Sequence, residues 1–315
     1  MEQTMKTVLV LSDLEGITGV YSLTNQTENA EKYYTEVIAY INKAYQLGYT
    51  VYYCDMHGNG EYIREKVSIE AEFVHVIPKQ ILEEILTKQS FECAVLLGFH
   101  AKAGSSGVLA HTFIDEIQDL LLENRSVGEI EIITEWLRGF SVPVVFISGD
   151  SAALPEVKNI NCVYYTSKSN DKPLVLPDKK ILSTGLKVLE TVLRKNPFPS
   201  DNVSYCKTVR VILRGDYYDI ALKKHGYNLC SPSTVQFESV NEFMHLASHF
   251  FELVFAIRYK WLLNALKKII AEKDISKNSC FNSEFKIMAK KTQDITKEDL
   301  IWLIKSIERR GDLAL

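Results

Sequence analysis

The chain has 315 residues, 46% hydrophobic and 24% charged, with a formal net charge of −4. That is the balance of an ordinary globular protein, and the slight acidic excess gives no basis for a nucleic-acid partner, whose phosphates favour basic patches. No apolar run reaches the roughly 20 residues that span a bilayer, and the start MEQTMKTVLVLSDLEG lacks the basic and apolar regions of a signal peptide, so no membrane partner and a cytoplasmic location are expected.

In chain order, residues 7–12 (TVLVLS) form a β-branched apolar run that ends abruptly in Asp13. In the segment that follows, Val37, Ile38, Ile41, Ala44 and Tyr45 recur at helical spacing, and Gly48 supplies a stop. Residues 50–54 (TVYYC) predict a second strand that runs into Asp55 and His57, and residues 80–88 a second helix. Residues 93–98 (CAVLLG) lead into His100, residues 129–140 read as a third helix after Gly128, and residues 142–148 (VPVVFIS) lead into Gly149 and Asp150. Near-continuous apolar strands suit a sheet buried on both faces, and their alternation with helices predicts an α/β fold with a largely parallel sheet and flanking helices. In such sheets the ligand crevice lies beyond the carboxyl ends of the strands, where Asp13, Glu15, His57 and His100 are expected.

Residues 166–178 read as a polar connection, 179–195 as a helix, 207–214 as a strand and 238–270 as a long helix or helix pair. The expected organisation is an α/β metal-binding catalytic core over 1–200, a smaller α+β lobe over 201–270, and a helical C-terminal extension over 271–315 with no assigned role. The six cysteines, Cys54, Cys93, Cys162, Cys206, Cys230 and Cys280, include no C-x-x-C pair and are read as buried small hydrophobes.

Asp13 and Glu15, two residues apart, point to one side while the backbone is extended, and two like charges so close call for a cation or a proton between them. A solvated loop is the plainer reading of an isolated D-x-E. His57 and His100 each follow a predicted strand, and imidazoles beside carboxylates suit zinc or a similar ion better than magnesium or calcium. Glu129 stands at a helix start, where a carboxylate also offsets the helix dipole, so both roles stay open. His111 is either a loop histidine or a catalytic acid/base. His245 and His249 share a helical spacing, but Leu246 stands where the zincin motif requires glutamate. The sequence contains neither a phosphate-binding loop with G-x-x-x-x-G-K-[ST] nor a G-x-S-x-G elbow.

Taken in order, SDLEGITGV, DMHGNG, LLGFHAKAG, VLAHTF, N-x-x-x-GE and VPVVFISGD resemble the DppA-like D-aminopeptidase family of zinc peptidases, over roughly residues 6–255. The resemblance implies zinc, two ions per chain, with Asp13 bridging them and Glu15, His57, His100 and Glu129 as the other ligands. It implies His111 as the catalytic histidine, and a decameric ring as the homo-oligomer. It also implies hydrolysis of the amide bond after an N-terminal residue, a D-amino acid, in short peptides or aminoacyl amides. Met56, Phe99 and Ser151 depart from the family pattern, outside the implied ligand set. Alternative readings are a metallohydrolase of another amide, such as a cell-wall-derived fragment, and a peptide-binding ring protein without catalysis.

Overall fold

In the computed structural model, which describes residues 6–169, 178–195, 198 and 207–272, the apolar run after Lys6 is buried on both faces. It forms strand β1 (Lys6–Ser12), followed by helix α1 (Gln26–Gln46), β2 (Tyr49–Asp55), the short α2 (Arg64–Glu70), β3 (Val74–Val76) and α3 (Leu82–Lys88). Next come β4 (Cys93–Phe99), the ribbon β5 (Ile117–Leu122) and β6 (Arg125–Ser126), α4 (Glu129–Gly139), β7 (Val144–Asp150) and β8 (Val163–Lys168). The remaining elements are α5 (Asp178–Leu193), β9 (Val209–Leu213), α6 (Asp219–Lys224), β10 (Asn228–Ser231), β11 (Thr234–Phe237) and α7 (Val240–Glu272).

The main sheet has the order β3-β2-β1-β4-β7-β8, and every pairing in it is parallel. From β1 the chain moves outward through β2 and β3, then returns to the other flank of β1 as β4, β7 and β8. The direction of winding reverses between β1 and β4, and a crevice opens there beyond the carboxyl ends of the strands. The expected α/β fold is therefore the observed one.

Helix α1 is started by Asn25, whose side chain accepts from the Glu28 N–H, and it buries Tyr33, Val37, Tyr40, Ile41 and Ala44 along one stripe. Helix α4 buries Ile130, Ile133, Trp136 and Leu137. Each of the buried valine, isoleucine and leucine side chains among them contributes about 1.5–3 kcal/mol by leaving water.

The fold divides into two units. The first takes in the described residues of Met1–Ile212 with Gln236–His245, and includes a second, smaller array in which β9, β5 and β6 lie side by side. The second takes in the described residues of Leu213–Val235 and Leu246–Leu315. In that unit the Ser233 N–H is held by the Asp219 carboxylate at 3.0 Å, and Tyr227 packs edge-on against Phe250.

Several sequence expectations change. Thr166, Ser167 and Lys168 complete strand β8 rather than opening a polar connection, because an edge strand with half-exposed Tyr164 and Tyr165 carries no continuous apolar signature. Of residues 238–270, those from Val240 onward belong to one helix, with Phe243, Ala247, Phe250 and Val254 buried at helical spacing. Cys54 and Cys93 are buried, but Cys162 is half-buried and Cys230 exposed, the latter on a short strand open to solvent. Cys206, Cys280 and most of the 271–315 extension lie outside the described residues. Among the described residues, no helix is long and apolar enough to cross a membrane.

Candidate metal centre

The centre is built where strands of the main sheet end. After Ser12 the chain leaves β1 and turns rather than continuing extended, so the same-side argument for Asp13 and Glu15 does not apply as framed. The turn is made against β4: the Asp13 N–H donates to the Leu97 carbonyl at 2.8 Å, and the Gly16 N–H to the Gly98 carbonyl at 2.7 Å. A β-carbon at Gly16 would stand 2.0 Å from the Phe99 carbonyl oxygen, so only glycine allows this approach. Gly98, at φ +70°, likewise leaves no room, with the Asp13 carbonyl oxygen 2.2 Å from its would-be β-carbon.

The turn still brings both carboxylates to one imidazole. His57 Nδ1 lies 3.0 Å from Glu15 Oε2 and 3.4 Å from Asp13 Oδ1. On the other side, His100 Nε2 lies 3.2 Å from Asp13 Oδ2 and 3.4 Å from Glu129 Oε1. Asp13 thus stands between the two histidines, one oxygen toward each. His111 stacks on His100, with ring centroids 4.3 Å apart and planes 9° from parallel. Donor atoms of Asp13, Glu15 and His100 lie within 4.8 Å of one another, as do those of His100, His111 and Glu129. Neither group includes His245 or His249. His245 is exposed and faces Glu83 at 3.0 Å.

Neighbouring backbone groups orient these side chains. His100 Nδ1 lies 3.0 Å from the Ala101 carbonyl, and His111 Nδ1 3.0 Å from the Leu109 carbonyl. A carbonyl can only accept, so each Nδ1 carries the proton and each Nε2 is turned toward the cluster. Glu129 Oε1 accepts from the Phe113 N–H at 2.6 Å, an N–H aimed there by a left-handed backbone at Phe113 (φ +56°). Asp55 accepts from the His57 N–H at 3.1 Å and the Ile63 N–H at 3.0 Å, which ties both ends of the loop that carries His57.

Burial alone would raise the Asp13 and Glu129 carboxyls, but His100 and, for Asp13, His57 hold both below the usual range. Burial would lower the two imidazoles, yet Asp13 and Glu15 push His57 up to about 10, and Asp13 and Glu129 raise His100 well above its ordinary value. Three carboxylates in one pocket therefore require positive charge, which protons on the imidazoles supply in the metal-free protein. A divalent cation supplies the same charge and displaces those protons. The donors fit such an ion: His100 Nε2 is buried, with an oxygen of Asp13 at 3.2 Å and one of Glu129 at 3.4 Å beside it. Imidazole nitrogen with carboxylate oxygen is a donor set for zinc or a similar transition metal.

Sequence reasoning treats Asp55 and Asp150 only as strand ends and passes over Lys168 and Glu156. Asp150 is fully buried and accepts from the Ala101 and Ala153 N–H groups. Burial pushes the Lys168 ammonium down, while Asp150 and Glu15 act against that shift. The rule that located His57 and His100, a polar residue closing a strand of the parallel sheet, also applies to Lys168 once β8 is recognised.

Residues 5–168 match the model of a protein family described as D-aminopeptidase. A curated D-aminopeptidase of Bacillus subtilis (strain 168) is 30% identical over 159 residues, which cover 47% of this chain and 57% of that protein. The match thus spans little more than half of that relative's length. A solved structure, the Zn-dependent D-aminopeptidase DppA from Bacillus subtilis, described as a self-compartmentalizing protease, aligns with a TM-score of 0.66 at 20% identity. That alignment covers 79% of this chain and 98% of the other, a likeness of fold.

Proposed function

The chain belongs to the D-aminopeptidase family, and from that premise we propose that it is a zinc-dependent aminopeptidase releasing an N-terminal D-amino acid from short peptides or aminoacyl amides. The observation that carries this reading is Asp13 standing between His57 and His100, one carboxylate oxygen facing each. With Glu15, Glu129 and the two histidines, Asp13 would hold two zinc ions per chain.

Bound zinc would lower the pKa of water toward neutrality and polarise a substrate carbonyl. The chain's own residues supply the rest. Asp13, Glu15, His57, His100 and Glu129 hold the charge in place. His111, its Nδ1 proton committed to the Leu109 carbonyl, takes up or delivers a proton at Nε2 as the amide is cleaved. The stacked His100 ring and the protonated Nδ1 keep that imidazole in one orientation. We further propose a homo-oligomeric ring of ten chains, supported by the self-compartmentalizing description of the structurally similar protein.

The test is elemental analysis of purified protein beside turnover of paired D- and L-aminoacyl amides, with His57→Ala and Glu129→Ala as controls. About two zincs per chain, falling in both variants with loss of turnover, is the expected result. No divalent metal after zinc reconstitution would overturn the reading. Preference for the L-substrates would overturn its stereochemical part, and light scattering decides the ring.

A further inference from the structure

Lys168 is 0% exposed, and a buried ammonium is costly unless its N–H groups find acceptors. Its Nζ donates to the main-chain carbonyl of Glu15 at 2.7 Å and lies 5.2 Å from the centroid of the Tyr21 ring. The preceding residue acts on the same loop. Ser167 Oγ is 3.2 Å from the Gly16 carbonyl, and the Thr18 hydroxyl donates to the Ser167 carbonyl at 3.1 Å. The end of edge strand β8 therefore holds residues 15–18 at three points, although more than 140 residues of chain separate them. The turn so held carries Asp13 and Glu15. Where the backbone of a ligand-bearing residue is fixed, the direction in which its carboxylate leaves is fixed with it.

We propose that Lys168 is a positioning residue of the metal centre: its ammonium holds the Glu15 carbonyl and thereby keeps the Glu15 carboxylate at its place beside His57. This inference rests on the metal-centre reading above. It makes a prediction opposite in sign to that of simple charge. Removing a positive charge near a cation site strengthens cation binding by Coulomb's law, whereas releasing the turn weakens it. A residue that served packing alone would leave affinity unchanged when replaced by an apolar chain of similar length.

Zinc affinity of the full-length protein, measured by competition with a chromophoric chelator, distinguishes these outcomes, with circular-dichroism melts of the metal-free proteins to confirm folding. Lys168→Met is expected to bind zinc about 10–100-fold more weakly than wild type, the usual cost of losing a residue that orients a ligand. Lys168→Arg, which retains charge and donors, recovers part of that loss. Equal or tighter binding by folded Lys168→Met overturns the role of Lys168 and leaves the centre standing. If Lys168→Met does not fold, Lys168→Gln, too short to reach the Glu15 carbonyl, is read by the same criterion. A wild-type chain that binds no zinc overturns the centre and this role together.

Discussion

The two edges of the main sheet are made by the same strands and differ in their chemistry. At the carboxyl edge Asp13, Asp55, His100, Asp150 and Lys168 are each no more than 5% exposed, and all are ionisable. At the amino edge, the starts of β7 and β8 and the flank of α4 line a cavity of about 280 Å³ with Val142, Pro143, Val144, Val163 and Thr134. The one strong charge that α4 contributes there, Arg138, is paired with Glu135 at 3.0 Å. The amino-edge cavity, a little smaller than the roughly 300 Å³ at which ligand pockets begin, has Arg138, Lys195 and Cys162 in its lining but neither carboxylate nor imidazole among the described residues, whereas the carboxyl edge gathers both. Buried charge needing a counter-ion, rather than concavity, is what points to the proposed site in this fold.

The largest effect that would break the comparison is loss of a carboxyl-edge ligand without consequence. On the proposed function, Asp13→Ala and His100→Ala should each lower kcat/KM on the order of 10³-fold or more, since several kcal/mol of transition-state stabilisation would be lost with the metal. Elemental analysis should show less than one zinc per chain in either variant. Full metal content with unchanged turnover in either would place the chemistry elsewhere. Next in size is Asp55→Asn. It keeps the bulk of a side chain that ties the His57 and Ile63 N–H groups but weakens it as an acceptor, and about 10–100-fold weaker zinc binding is expected. Chelator competition measures this, and an unaltered affinity would show that the loop holds His57 without Asp55.

The same contrast explains how much could be read from the sequence. Strands β1, β4 and β7 were legible because they are buried on both faces and therefore continuously apolar, and β2, half-buried at Thr50 and Tyr52, because its β-branched and aromatic run still ends abruptly in Asp55. Strand β8 was not legible. Its exposed edge admits Tyr164 and Tyr165, and its last residues are polar because they meet the Asp13–Glu15 turn. The turn departs from the extended backbone on which the same-side argument for Asp13 and Glu15 depends, and D-L-E-G by itself does not reveal that Gly16 fits against the Phe99 carbonyl. Such contacts connect distant parts of the chain, and local pattern carries no record of them.

A smaller effect sharpens the comparison through pH. Glu156, half of whose carboxylate is held by the Lys102 N–H at 2.8 Å while its Oε2 has no partner among the described residues, is pushed up to about 7 by burial. Its folded value lies above the ordinary 4.5, so the stability tied to its proton is complete below pH 4.5 and is lost as pH rises through 7. That loss is on the order of 3 kcal/mol. Glu156→Gln, which cannot ionise, should abolish this part of the pH dependence. Melts of the metal-free proteins should converge near pH 5 and favour the variant at pH 8. Parallel pH profiles would show that Glu156 stays ionised in the fold.

The smallest expected effect is the most demanding of the comparison. Thr134 lines the amino-edge cavity, and its hydroxyl is buried without a partner among the described residues. Replacing it with the isosteric Val removes an unsatisfied polar atom, so Thr134→Val should leave stability unchanged or raise it by up to about 1 kcal/mol. The kcat/KM should be unaltered, and the zinc content likewise. The demand arises because α4 serves both edges: Glu129 opens the helix at the proposed metal centre, and Thr134 sits five residues, or about 7.5 Å of helix, further along. If α4 is held rigidly by its buried face of Ile130, Ile133 and Leu137, a change at Thr134 stops there. A fall in zinc affinity in a stable Thr134→Val protein would mean that α4 transmits displacement from one edge to the other. The amino-edge cavity would then belong to the working machinery of the centre rather than to its scaffold.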